Sequence, residues 1–96
     1  MQKKITLQNG FRCTVDDARF DDMELLEDLA EVDNGNVLKL PDVISKMIGA
    51  ENKKKLYDTV RDKKTGIVSS VAVGDALQEI IEAMSEEDPE DSVKNS

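Results

Sequence analysis

The groups that could do chemistry in this chain are carboxylates and one thiol. Asp and Glu number 21, Cys13 is the single cysteine, and there is no histidine. Without an imidazole, neither a Ser-His-Asp nor a Cys-His arrangement can be assembled, and the commonest general acid–base group is missing. Metal chemistry is narrowed too, because one thiolate and no histidine cannot close a structural zinc site. The pairs Asp16-Asp17 and Asp21-Asp22 could hold a hard cation if folding brought them together. Against that, Asp33-Asn34-Gly35-Asn36 lacks the alternating ligands and distal Glu of a calcium loop, and surface carboxylates are ordinarily solvated caps. Five scattered glycines make no phosphate-cradling loop. No catalytic residue, cofactor or metal site is assigned. The chain reads as a binder of other proteins, not an enzyme.

Charge sharpens that reading. The formal net charge is −8, which disfavours nucleic acid and anionic membrane surfaces. Positive charge is nonetheless gathered at Lys53-Lys54-Lys55, Arg61, Lys63 and Lys64. Such a run is either a solvated helix face or a patch for an acidic partner, the chain's own acidic end included. One cysteine permits no internal disulfide and suits the reducing cytoplasm. The N-terminal Met1 to Gln8 has basic residues but no following apolar region, so it is not a secretory signal. No stretch approaches the roughly 20 apolar residues that span a bilayer.

The elements that must position these groups are short. Ile5 and Leu7, then Phe11, Cys13 and Val15, alternate as two strands of a hairpin. A two-residue Asn9-Gly10 turn would mix the faces. A three-residue loop, Gln8-Asn9-Gly10, pairs Leu7 with Phe11 and Ile5 with Cys13 and puts every apolar side chain on one face. Cys13 is then a small buried hydrophobe more readily than a reactive thiol. A first helix is expected from Asp21 as cap, with Glu24 completing a capping box. Met23, Leu26 and Ala30, with Leu25, Leu29 and Val32, form its apolar stripe. A second helix opens with Pro41 in its first turn, buries Val43, Ile44, Met47 and Ile48, and ends at Gly49.

A third helix runs from about Glu51 to Arg61 and buries Leu56, Tyr57 and Val60. After a polar loop at 62–66, Ser69 or Ser70 caps a last helix. Its Val73, Leu77, Ile80, Ile81 and Met84 follow helical spacing, widened by Val71 and Ala76. From Ser85 the apolar pattern stops, and 85–96 reads as a disordered acidic tail. The expectation is an α+β, mainly α fold: one domain over 1–84, with an N-terminal β-hairpin, about four short helices, and the tail at 85–96. Met23, Met47 and Met84 are expected in its core. The candidate partner-binding residues are Lys53, Lys54, Tyr57 and Arg61 on the third helix and Leu77, Ile80, Ile81 and Met84 on the last. An aliphatic stripe on so small a domain also admits a homo-oligomer.

The heptapeptide Leu56-Tyr57-Asp58-Thr59-Val60-Arg61-Asp62, followed by a short loop, Ile67-Val68 and a final amphipathic helix, resembles the tail assembly chaperones of long-tailed (siphovirus-type) bacteriophages and prophages. The resemblance covers about Val37 to Ser96 and includes no catalytic residue. It implies a helical chaperone that binds the long tape measure protein, keeps it soluble, and helps the tail tube protein polymerise around it in the bacterial cytoplasm. It also implies two product lengths made by a minus-one ribosomal frameshift. The closing Val93-Lys94-Asn95-Ser96 permits codons that contain a slippery A-AAA-AAY heptamer, in which case this chain is the short form. A small acidic adaptor or antitoxin-like regulator that masks a protein partner fits size and charge as well.

Overall fold

The computed structural model describes residues 2–85. The acidic segment expected from Ser85 onward therefore lies, apart from Ser85, outside the described residues. Ser85 itself is the last residue of the final helix.

The chain begins with an antiparallel hairpin of β1 (Gln2–Thr6) and β2 (Arg12–Asp16). Ile5 pairs with Cys13 and Thr6 with Arg12, and the Leu7 amide donates to the Phe11 carbonyl at 2.9 Å. The loop is thus the three residues 8–10. The Gly10 amide closes a turn on the Leu7 carbonyl at 3.0 Å, and Gly10 itself sits at φ +93°, where a side chain would be strained. Ile5, Leu7, Phe11 and Val15 are buried on one face, with Cys13 half-buried among them.

A 3-10 turn at Asp17–Asp21 delays the first helix by one residue from the expected start. Asp21 still belongs to that turn. It is Asp22, with extended backbone, whose carboxylate accepts from the Glu24 amide at 2.9 Å and caps α1 (Met23–Asp33). The apolar stripe expected on α1 divides in two. Leu25 is buried and Leu29 and Val32 pack partly against the core, whereas Met23, Leu26 and Ala30 face outward. Asp28 completes the inner face.

The turn chemistry of Asp33-Asn34-Gly35-Asn36 ends α1: the Gly35 amide reaches back to Val32 and the Asn36 amide to Glu31. A second 3-10 turn, Val37–Lys39, leads into α2 (Leu40–Ile48), with Pro41 in its first turn. Leu40, Val43, Ile44, Met47 and Ile48 are all buried, so α2 is the centre of the molecule. Gly49 alone separates α2 from α3 (Ala50–Val60). Its φ of +87° and its amide bond to the Ser45 carbonyl end one helix while its own carbonyl accepts from Lys53 in the next.

Helix α4 (Ser70–Ser85) is capped by Ser69, whose hydroxyl accepts from the Ala72 amide at 3.3 Å. Val73, Ala76, Leu77 and Ile80 are buried, and Ile81 and Met84 are partly so. Val71, expected to widen this stripe, is instead exposed, and so is Met23 among the methionines expected in the core. The hairpin packs on α2 and α4, which encloses one aliphatic core. No helix among the described residues is long and apolar enough to cross a membrane.

Candidate functional site

The expected partner residues fall into three groups. Leu77 and Ile80 are core residues that hold α4 in place and present nothing to a docking partner. Ile81 and Met84 pack partly against that core. Lys53, Lys54, Tyr57 and Arg61 lie along or just after α3, but they do different jobs.

Arg61 is committed to its own loop. Its guanidinium donates to the Gly66 carbonyl at 2.9 Å and meets Asp58 at 3.3 Å, and its backbone bridges to Val68. Asp62 completes the clasp: its carboxylate accepts from the Lys64 and Thr65 amides, its carbonyl from Gly66, and its amide donates to Ile67. The Arg-Asp pair that ends the heptapeptide is therefore a device for shaping the α3–α4 connection. It turns Val68 inward and leaves Ile67 out.

Tyr57 has another role. Together with Val68 and with Val73 on α4, it forms one side of a groove of about 180 Å³. The opposite side is Val37 with Leu40 and Pro41 at the start of α2. Burial raises the Tyr57 phenol above its ordinary pKa, which keeps it neutral at the edge of an apolar depression. One turn earlier on α3, the Lys53 ammonium stands 5.9 Å from the Tyr57 ring centroid, within cation–π range.

Exposed aliphatic residues occur in this groove's lining and next to it in sequence. Val37 is 61% exposed, and next to lining residues in the chain stand Leu38 at 86%, Ile67 at 63% and Val71 at 71%. Val37 lines the groove itself, and exposed aliphatic residues of this kind are what contact surfaces use. The α3 side is basic. Six cations against three carboxylates fall between Glu51 and Lys64, in a chain otherwise strongly acidic. Among the described residues, Lys53, Lys54, Lys55, Lys63 and Lys64 meet no carboxylate within ion-pair distance. The site is an open, mostly apolar groove with the Lys53 ammonium beside Tyr57 at its edge.

Sequence reasoning found Tyr57 and the lysines but missed Val37, Leu38 and Ile67. These three belong to no periodic pattern. Their signal is being aliphatic inside otherwise polar connections, next to Asn36 and Gly66.

The carboxylate pairs weighed for a cation serve as caps. Asp16 accepts from the Ala18 amide, and that bond holds its carboxyl below the usual range, while Asp22 caps α1. No group of three or more potential metal ligands occurs among the described residues. An open cleft of about 540 Å³ beside α4 is walled by Asp75, Glu79 and Glu82, but Glu79 accepts the Gln8 amide there at 2.9 Å and ties the hairpin loop to α4. Burial raises the Cys13 thiol, which opposes thiolate formation.

No family model, characterised protein or solved structure matches this chain.

Proposed function

We propose that this chain is a tail assembly chaperone of a long-tailed bacteriophage or prophage, which binds tape measure protein and promotes tail tube assembly in the host cytoplasm. The reading rests first on the resemblance carried by Leu56 to Asp62. The observation that supports it most is where that heptapeptide lies: Tyr57 lines the apolar groove, and Arg61 and Asp62 shape the loop that delivers Val68 to it. A groove of this kind takes the apolar face of an amphipathic helix. A long helical tape measure exposes many such faces before the tube encloses it. A small acidic binder covers them and adds repulsive charge that keeps the complex in solution. Weak contacts suffice where many copies decorate one target and the tube must later displace them.

The test is to read the gene beside this one, expected to encode a long helical protein, and to co-express its product with this chain. The wild type should keep that product soluble and co-purify with it, whereas Leu38→Ser combined with Tyr57→Ala should leave it in the pellet. If the neighbouring gene instead encodes a small toxin or enzyme that the chain binds and silences, the adaptor or antitoxin-like reading replaces this one.

A further inference from the structure

The hairpin turns one face to the core and the other to solvent. On the outer face Lys4 pairs with Thr14 and Thr6 with Arg12, all four exposed around an open depression of about 350 Å³. Neither Lys4 nor Arg12 meets a carboxylate within ion-pair distance among the described residues. Asp16, at the far end of the same face, already accepts from the Ala18 amide. The hairpin also has a free edge, because among the described residues its two strands pair only with each other. The Leu7 amide points to β2, so alternation along the antiparallel ladder turns Lys3 and Ile5 the same way and the peptide groups of Lys4 and Thr6 outward. No backbone group outside the ladder bonds to either one among the described residues. Such an edge takes a further strand.

We infer that the acidic segment 86–96 of the same chain returns along the free edge of β1 as a third, antiparallel strand. The segment carries Glu86, Glu87, Asp88, Glu90 and Asp91 against Lys94. In that arrangement Glu86, Asp88 and Glu90 share the outer face with Lys4 and, one strand further, Arg12. Residues of that set also turn their peptide groups toward β1. Pro89, which has no N–H to give, then falls on the solvent side, where an edge strand tolerates proline. The path is short. Glu79 accepts the Gln8 amide just beyond the end of β1, and α4 ends at Ser85, about 9 Å further along its axis. Extended, residues 86–96 reach about 36 Å, roughly twice the length of β1. The contact closes within one chain an edge that is otherwise open to pairing with other chains. It does not depend on the tape measure reading, and its test uses the purified full chain alone.

Amide exchange followed by NMR reads the edge directly. The Lys4 and Thr6 amides of the wild type should exchange about tenfold more slowly than those of the triple variant Glu86→Gln, Asp88→Asn, Glu90→Gln. Chemical shifts should change with them at Lys4, Thr6, Arg12 and Thr14. Lys4→Glu with Arg12→Glu should lose the same protection, and adding Glu86→Lys, Asp88→Lys and Glu90→Lys to that variant should restore it. Should the reversed hairpin not fold, Pro89→Glu with Glu90→Pro keeps every charge, moves the missing N–H to the ladder side, and should also release the segment. Hairpin amides that are indifferent to neutralising the segment would overturn the inference. So would shift changes confined to Lys53, Lys54 and Lys55, which would put the acidic end on α3. Protection that grows with protein concentration, the mark of a contact between copies, or protection that survives the proline exchange would be equally fatal.

Discussion

Helix α2 is flanked by two seams that solve the same packing problem differently. On the α1 side the seam is closed by charge. Asp28, only 8% exposed, receives the Lys46 ammonium at 2.6 Å, and Lys39 stands 3.9 Å from its other oxygen. The hydrogen bond from Lys46 holds the Asp28 carboxyl below its usual range, and the same bond lifts Lys46 above its own. On the far side, between the start of α2 and Tyr57, no polar pair closes the gap. The lining is mostly aliphatic, and Val37 in it remains in water. A seam meant only to hold would be filled or satisfied, as the first one is. The contrast separates what keeps this molecule folded from what it offers to others.

The largest effect should come from the core residues that α2 buries between the two seams. Met47 is fully buried in the last turn of α2, and Met47→Ala should cost about 2–5 kcal/mol in denaturant unfolding, as large-to-small changes in a packed core do. A loss below that range would mean the centre can collapse around the cavity.

Asp28→Asn should have a smaller effect with a distinctive pH signature. Because the folded carboxyl is depressed, its contribution is complete above the ordinary Asp value of about 3.9 and disappears as pH falls through the lower folded value. Melting curves of variant and wild type should therefore differ at neutral pH and converge in strong acid. Lys46 gives the mirror image, its contribution complete below about 10.4 and lost as pH rises through the raised folded value. A difference that persists unchanged into acid would show that Asp28 acts through shape and not charge.

At the open seam, Leu38→Ser should move stability by no more than about 0.5 kcal/mol, the range for exposed positions without packing partners. Destabilisation beyond that would place Leu38 in the core and erase the distinction between the two seams.

Much of this architecture was legible because local rules agree with each other. The hairpin register followed from which loop length leaves one face apolar, and α2 and α4 from helical spacing with Pro41, Gly49 and the Ser69-Ser70 pair at their ends. Helix α1 was harder for a specific reason. It carries two apolar rows, one through Leu25, Leu29 and Val32 and one through Met23, Leu26 and Ala30. The row that is buried also contains Asp28, whose partner Lys46 lies 18 residues away, so nothing local reveals that a carboxylate belongs inside. The 3-10 turns at 17–21 and 37–39 have the same character: Arg19 reaches the Lys46 carbonyl across the fold at 3.1 Å. At the site, Tyr57 and the lysines were legible as types. The groove was not, since it exists only where the start of α2, the end of α3 and the start of α4 meet.

The tie between Gln8 and Glu79 spans 71 positions and joins the first element to the last. Strand β1 and α4 lie against one another, so each end of the domain completes the other's burial. Neither end can fray without exposing the hairpin's apolar face. Hydrogen exchange through the core should then report one cooperative opening instead of a peeling sequence, and trimming the hairpin should loosen α4 as surely as it loosens β2.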